Sequence, residues 1–212
     1  MSYQTLLDAV IKGDIKTAKE ETLKAVDAGQ NAQDILDQGL IEAMNVVGDN
    51  FSKGAIFVPQ MLRSAKTMQE CVEVLKPHFQ GNAMTTKGNI VLGTVKGDLH
   101  DIGKNLVGMM LEGAGFSIID LGVDVAPEVF VDKIKEANAD VVGMSALLST
   151  TMPSMSLTIK ALADSGLRDT VKVIIGGAPV TRKYAEDIGA DAYASDAGSA
   201  VLEAKKLLNI LR

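Results

Sequence analysis

The residues best equipped for chemistry stand together in one short stretch, Lys96-Gly97-Asp98-Leu99-His100-Asp101-Ile102-Gly103-Lys104-Asn105. A histidine beside acidic residues on a loop is a common arrangement for a metal ligand or a general base. The pattern D-x-H-x-x-G should arise by chance in about one chain in fifty of this length, given ordinary residue usage. Taken alone it fits a loop histidine hydrogen-bonded to Asp98 equally well. Two further pieces follow. Forty-one residues separate Gly103 from Ser145-Ala146-Leu147, and 28 separate Leu147 from Gly176-Gly177.

The elements that must position these pieces follow from hydropathy period. Short β-rich runs at Ile90 to Val95, Ser117 to Leu121, Asp140 to Met144, Val171 to Ile175 and, more weakly, Asp191 to Tyr193 alternate with helical stretches. Continuous apolar strands that each lead into a helix indicate a parallel sheet covered on both faces by right-handed crossovers. Five such units predict an α/β fold, a flavodoxin-like or Rossmann-like doubly wound sheet in the order 2-1-3-4-5. Ligands of such sheets bind beyond the carboxyl ends of the strands, where the order reverses. All three pieces fall there.

Ahead of this half, from Tyr3 to Phe79, apolar residues recur at helical spacing, as in Leu36, Leu40, Ile41, Met44 and Val47. Four helices are predicted. Gly13-Asp14 and Gly29 with Asn31 mark breaks, with Asp14 as an N-cap. Pro59 suits the first turn of the last helix, and Lys76-Pro77 sets its end. The polar and small stretch from Gly81 to Gly88 divides the chain into domains 1–88 and 89–212.

The three-part pattern D-x-H-x-x-G, S-x-L and G-G resembles the cobalamin-binding domain shared by cobalamin-dependent methionine synthase, carbon-skeleton mutases and corrinoid methyltransferase carriers. The resemblance covers the whole second half. It implies a corrinoid (cobalamin or methylcobalamin) bound base-off and His-on, with His100 as the cobalt ligand below the ring and the nucleotide tail in a deep slot. Asp98 would hold the second nitrogen of His100 and raise its basicity. Thr151 matches a position where the family places a hydroxyl bonded to that aspartate, so Asp98, His100 and Thr151 form the implied reactive set. The pair would act as a proton-coupled switch, because the Co(I) nucleophile prefers four-coordination whereas methyl-Co(III) accepts a lower ligand.

The resemblance also assigns Gly97, Leu99, Asp101, Ile102 and Gly103 to the corrinoid, with Gly103 letting the chain turn into the next helix. Ser145, Leu147, Ser149 and Thr150 join them from the loop after the third strand, Ser145 and Leu147 lining the slot of the tail. Gly176 and Gly177 would remove side chains where the tail passes, beside Ala178. Tyr193, Ala194 and Asp196 complete the set.

The stretch Asn50-Phe51-Ser52-Lys53-Gly54-Ala55-Ile56-Phe57-Val58-Pro59-Gln60-Met61 resembles the four-helix cap that precedes the same domain in methionine synthase. Phe51 and Val58 occupy the positions of the two residues that cover the methyl face of the corrin. The competing reading makes Phe51, Phe57 and Val58 plain bundle core. Under the cap reading, Gly81 to Gly88 is the hinge that lets the cap move.

These features imply a free-standing corrinoid protein of a methyltransferase system in one-carbon metabolism, as in methanogenesis or acetogenesis. It would not be catalytic alone. A substrate-specific methyltransferase would methylate Co(I), a second methyltransferase would pass the methyl to tetrahydrofolate or coenzyme M, and a reductive activator would restore Co(I). The run from Gly143 to Met152 looks most like carriers for methylamines and betaine. A mutase small subunit or a cobalamin-dependent regulator is the alternative. A mutase needs a barrel for which there is no room, and a regulator needs a basic DNA-binding helix where this chain has Asp8, Glu20, Glu21, Asp27, Asp34, Asp37 and Glu42.

Bulk properties agree. A net charge of -6 over 212 residues argues against a nucleic-acid surface. No apolar run reaches the roughly 18 to 20 residues of a membrane span. The single Cys71 and the lack of a secretory pattern at the start place the protein in the cytoplasm. Cys71 is expected as a buried, inert thiol, His78 as a solvated residue, and Met109, Met110, Met144, Met152 and Met155 as packing rather than a soft metal site.

Overall fold

A computed structural model describes residues 3–79 and 86–210. They separate into two compact units, one holding the first five helices with Glu112–Gly115, the other residues 87–111 and 116 onward. The expected hinge lies for the most part, at 81–85, outside the described residues.

In the first unit α1 (Gln4–Lys12) buries Leu6, Ala9 and Val10 along one stripe. The Asp14 side chain accepts from Thr17 N–H and so caps α2 (Ile15–Asp27), whose buried stripe of Ala18, Thr22 and Ala25 is small. Asn31 caps α3 (Ala32–Ile35) through Gln33 and Asp34. A π-helical stretch, Leu36–Ile41, then runs without a break into α4 (Glu42–Ser52). The expected third helix is thus one rod with a widened middle, where Gly39 lies against Leu6. Pro59 sits in the first turn of α5 (Val58–Leu75), and a single 3₁₀ turn, Lys76–His78, ends it. Cys71 is fully buried, burial pushes its thiol up, and His78 is exposed.

The second unit holds a five-stranded parallel sheet in the order β2-β1-β3-β4-β5. The strands are β1 (Asn89–Thr94), β2 (Ser117–Asp120), β3 (Val141–Ser145), β4 (Lys172–Gly176) and β5 (Ala192–Ala194). Between and after them stand α6 (Ile102–Gly113), α7 (Pro127–Ala137), α8 (Pro153–Asp164), α9 (Arg182–Ile188) and α10 (Ala197–Leu207). Every strand run stands within a residue of its expected place.

β1, β3 and β4 are buried on both faces, which is why they read as unbroken apolar runs rather than alternating ones. The core gathers Val91, Val142, Val173 and Ile175 from the sheet with Phe130, Met155 and Leu162 from the helices. Register aligns Thr94 with Ser145 and Ser145 with Gly176. The ends of the three strands that carry the motif pieces therefore meet at one edge.

Candidate cofactor site at the carboxyl edge of the sheet

The site is built around Asp98, a carboxylate with 0% exposure. A buried ion is tolerable only when its lone pairs are filled, and here five donors fill them. Asp98 Oδ1 accepts from the His100 amide at 3.1 Å and from His100 Nδ1 at 2.7 Å. Oδ2 accepts from the amides of Leu147 at 2.8 Å and Leu148 at 3.2 Å, and from Thr151 Oγ1 at 2.7 Å. The Thr151 proton is shared with the Leu148 carbonyl, 2.8 Å away. Burial alone would push the Asp98 carboxyl up. The Thr151 hydroxyl, the His100 ring and the amides of Leu147 and His100 outweigh it and hold the group well below the usual carboxylate range.

An ionised carboxylate only accepts, so Nδ1 of His100 carries the proton facing it. In the neutral ring the lone pair is then on Nε2, which makes no hydrogen bond among the described residues. The His100 side chain is half exposed. Thr94 Oγ1 holds its carbonyl at 2.9 Å. In the same loop Leu99 and Ile102 are left uncovered, at 71% and 86% exposure, as are the side chains of Leu147 and Leu148, whose amides bond Asp98. An imidazole lone pair on a loop with uncovered apolar side chains suits a flat, largely apolar ring that brings its own metal. Among the described residues no three His, Cys, Asp or Glu side chains gather as a metal cage. A lone imidazole cannot retain a free ion, but it suffices for one already held by a macrocycle.

The glycines divide by mechanism. Gly97 takes φ of 84°, and a side chain there would be strained. Gly97 thus makes the turn out of β1, whereas Gly103, expected to let the chain turn into the next helix, lies inside the first turn of α6. A methyl group on Gly103 would meet nothing within 4 Å, so internal packing does not demand its smallness. Gly177, with φ of 133°, would place a Cβ 1.9 Å from the Ala146 carbonyl oxygen, and Gly176 one 2.8 Å from that of Ala194. The Gly-Gly pair is thus required by backbones of its own unit, before any ligand is considered.

The remaining expected residues are spread along the same edge. Ser145 is half-buried, while Ser149, Thr150 and Ala178 are exposed. Asp101 accepts from the Asn105 side chain at 3.1 Å. The Asp196 carboxylate caps α10 through the Ser199 amide at 2.8 Å, which commits one of its oxygens locally. Tyr193 lies under the Arg182 guanidinium, 5.9 Å from ring centre, and Ala194 is buried. In the helical unit, Phe57 and Val58 are exposed and so are not bundle core, while Phe51 is half-buried. Met110, Met144 and Met155 are core.

Three contributors were not foreseen. The amides of Leu147 and Leu148 reach Asp98 through backbone, which residue type does not reveal. Asp124 accepts from the Gly97 amide at 2.8 Å. Lys104 is only 2% exposed, with Nζ 2.7 Å from Asn105 Oδ1 and 2.5 Å from Asp120 Oδ2. A charged residue in the first turn of α6 gave one hint, because its buried stem needs an anion nearby.

Comparison with known proteins agrees with this geometry. Residues 88–204 match the B12 binding domain family, and residues 3–76 match a second family of the same description. Dimethylamine corrinoid protein 1 of Methanosarcina acetivorans is 45% identical over 98% of this chain and 100% of its own length. Among solved structures, a cobalamin-binding protein from Desulfitobacterium hafniense superposes with a TM-score of 0.81 at 34% identity, over 97% of this chain and 98% of that one. The methanol:cobalamin methyltransferase complex MtaBC from Methanosarcina barkeri gives a TM-score of 0.89 at 28% identity, over 98% of this chain and 79% of that one.

Proposed function

Since the chain belongs to the B12-binding family of corrinoid proteins, we propose that it is a methyl carrier serving separate methyltransferases. The observation that carries the proposal is the Asp98–His100 pair, held at 2.7 Å with Nε2 unbonded among the described residues, in a loop whose apolar side chains Leu99 and Ile102 are exposed. When bound, a corrinoid supplies a cobalt that alternates between a nucleophilic Co(I) state and a methylated Co(III) state. His100 would hold that cobalt from below through Nε2, in the base-off, His-on mode. Asp98 fixes the ring's tautomer and keeps negative charge behind it, which strengthens Nε2 as a donor. Thr151 holds the carboxylate in turn. Ser145, Leu147, Ser149, Thr150, Gly176, Gly177 and Ala178 would border the nucleotide tail, with Tyr193, Ala194 and Asp196 at its far end. Phe51 and Val58 would cover the methyl face.

The partners implied are a substrate-specific methyltransferase, a second methyltransferase using tetrahydrofolate or coenzyme M, and a reductive activator, all in the cytoplasm. Among the described residues no helix is long and apolar enough to cross a membrane. The dimethylamine relative favours a methylated amine as the methyl source. Reconstitution tests the proposal. The purified protein should retain about one corrinoid per chain, the single-site count set by one D-x-H-x-x-G loop, and give up a cobalt-bound methyl group only when a second methyltransferase is added. Failure to retain corrinoid, or methyl loss at the same rate without a partner, would overturn it. Phe51→Ala should speed photolysis of the methyl-cobalt bond, and equal rates would remove Phe51 from the cover.

A further inference from the structure

The loop that carries His100 is not held by its own local bonds alone. Its backbone is gripped by residues far away in sequence. Ser154 Oγ donates to the Lys96 carbonyl at 3.0 Å. The Gly97 amide donates to Asp124 Oδ1 at 2.8 Å, and the Asp124 amide donates to the Asp98 carbonyl at 2.9 Å. Asp124 thus clasps the Gly97-Asp98 pair from both ends, one bond received by its side chain and one given by its backbone.

Local backbone geometry makes the clasp possible. After β2 the chain passes Gly122 at φ of 79° and Asp124 at φ of 55°, then returns to β1 by the bridge between Val125 and Val95. These two left-handed residues form a bulge that turns the Asp124 amide away from the ladder and toward the loop. Aspartate tolerates this conformation better than most residues with a side chain. A left-handed residue other than glycine persists when its surroundings over-determine it, and both polar groups of Asp124 are in use. Lys96 Nζ, 3.2 Å from the same carboxylate, is 57% exposed, so that ion pair adds little.

We propose that Asp124 is a positioning residue for the Asp98–His100 pair. By fixing the Gly97 amide and the Asp98 carbonyl it sets where the buried carboxylate stands, and with it the ring of His100. The consequence for cobalt ligation rests on the functional reading above. The positioning itself does not.

Three variants separate the contributions. Asp124→Gly keeps the left-handed backbone and removes the acceptor, Asp124→Asn keeps both, and Lys96→Met removes only the ion pair. In the cofactor-free protein labelled with ¹⁵N-histidine, NMR exchange of the His100 Nδ1 proton reads the grip of Asp98. Asp124→Gly should speed that exchange by about fivefold to tenfold, the factor a hydrogen bond of ordinary net strength confers. Asp124→Asn and Lys96→Met should match wild type. In the cobalamin-loaded Co(II) form, electron paramagnetic resonance should show a smaller fraction with a histidine nitrogen in Asp124→Gly, restored in Asp124→Asn. Unchanged exchange in Asp124→Gly overturns the proposal, as does Lys96→Met reproducing the loss. If wild-type cobalt carries no histidine nitrogen while Asp124→Gly still speeds exchange, ligation by His100 falls and positioning by Asp124 stands.

Discussion

Two neighbouring pieces of one sheet edge are built on opposite principles. The loop between β1 and α6 is held by what its residues bond, since five donors converge on the Asp98 carboxylate. The junction between β4 and α9 is held by what its residues lack, because Gly176 and Gly177 let backbones approach more closely than any Cβ allows. The first should fail when an atom is taken away or a proton is added. The second should fail when one methyl group is added.

The largest effect is expected at the junction. Gly177→Ala must place a Cβ where the Ala146 carbonyl oxygen lies, at a φ of 133° that L residues rarely adopt. Destabilisation above about 4 kcal/mol is expected, in the range reserved for severe backbone conflict. Urea unfolding checks it, and a loss below about 1 kcal/mol would mean that the junction relaxes as readily as a surface turn.

Next comes the carboxylate. Asp98→Ala strands buried donors and should cost about 3 kcal/mol, as removing a hydrogen-bonded buried charge does. Protonation attacks the same bonds. The folded-state pKa of Asp98 is depressed, so its contribution is fully present above the unfolded value of about 3.9 and is lost as pH falls toward the lower folded value. Wild type should therefore lose stability more steeply than Asp98→Asn below about pH 4. Parallel acid slopes in the two proteins would assign no linkage to this group.

The smallest effect on stability, and the sharpest on the comparison, belongs to Gly103. Alanine there meets open space in a helix, so Gly103→Ala should leave folding unchanged or improve it by up to about 1 kcal/mol. If the corrinoid approaches this surface, the same variant should weaken cobalamin binding severalfold by equilibrium titration. Unaltered affinity would show that the Gly103 surface stays clear of the cofactor.

Much of this arrangement was legible in the residues. The strand order followed from apolar runs alternating with helical stretches, because strands buried on both faces cannot hide their composition. Asp98 and His100 stood out by type and spacing, Thr151 joined them only through the family resemblance, and the structure bonds all three, with His100 and Thr151 each 2.7 Å from Asp98. What stayed hidden has one physical cause. The amides of Leu147 and Leu148 act through backbone that every residue carries, and the Asp124 clasp spans 27 residues and depends on a left-handed bulge. Lys104 stood in the quoted stretch without a role, because its burial depends on Asp120, 16 positions away. Glycine suggests a turn wherever it stands, and only the backbone angles separate Gly97, left-handed in the turn out of β1, from Gly103, already within the first turn of α6.

The central claim is that the Asp98–His100 pair presents Nε2 to the cobalt of a bound corrinoid. Its most direct test is electron paramagnetic resonance of the Co(II) form, reconstituted with cobalamin in protein labelled with ¹⁵N-histidine. The account predicts coupling to a single nitrogen, with the ¹⁵N pattern showing that it comes from the protein, and loss of that coupling in His100→Ala. Coupling that keeps its ¹⁴N pattern in the labelled protein, and survives in His100→Ala, would mean that the cofactor retains its own base and would contradict the account.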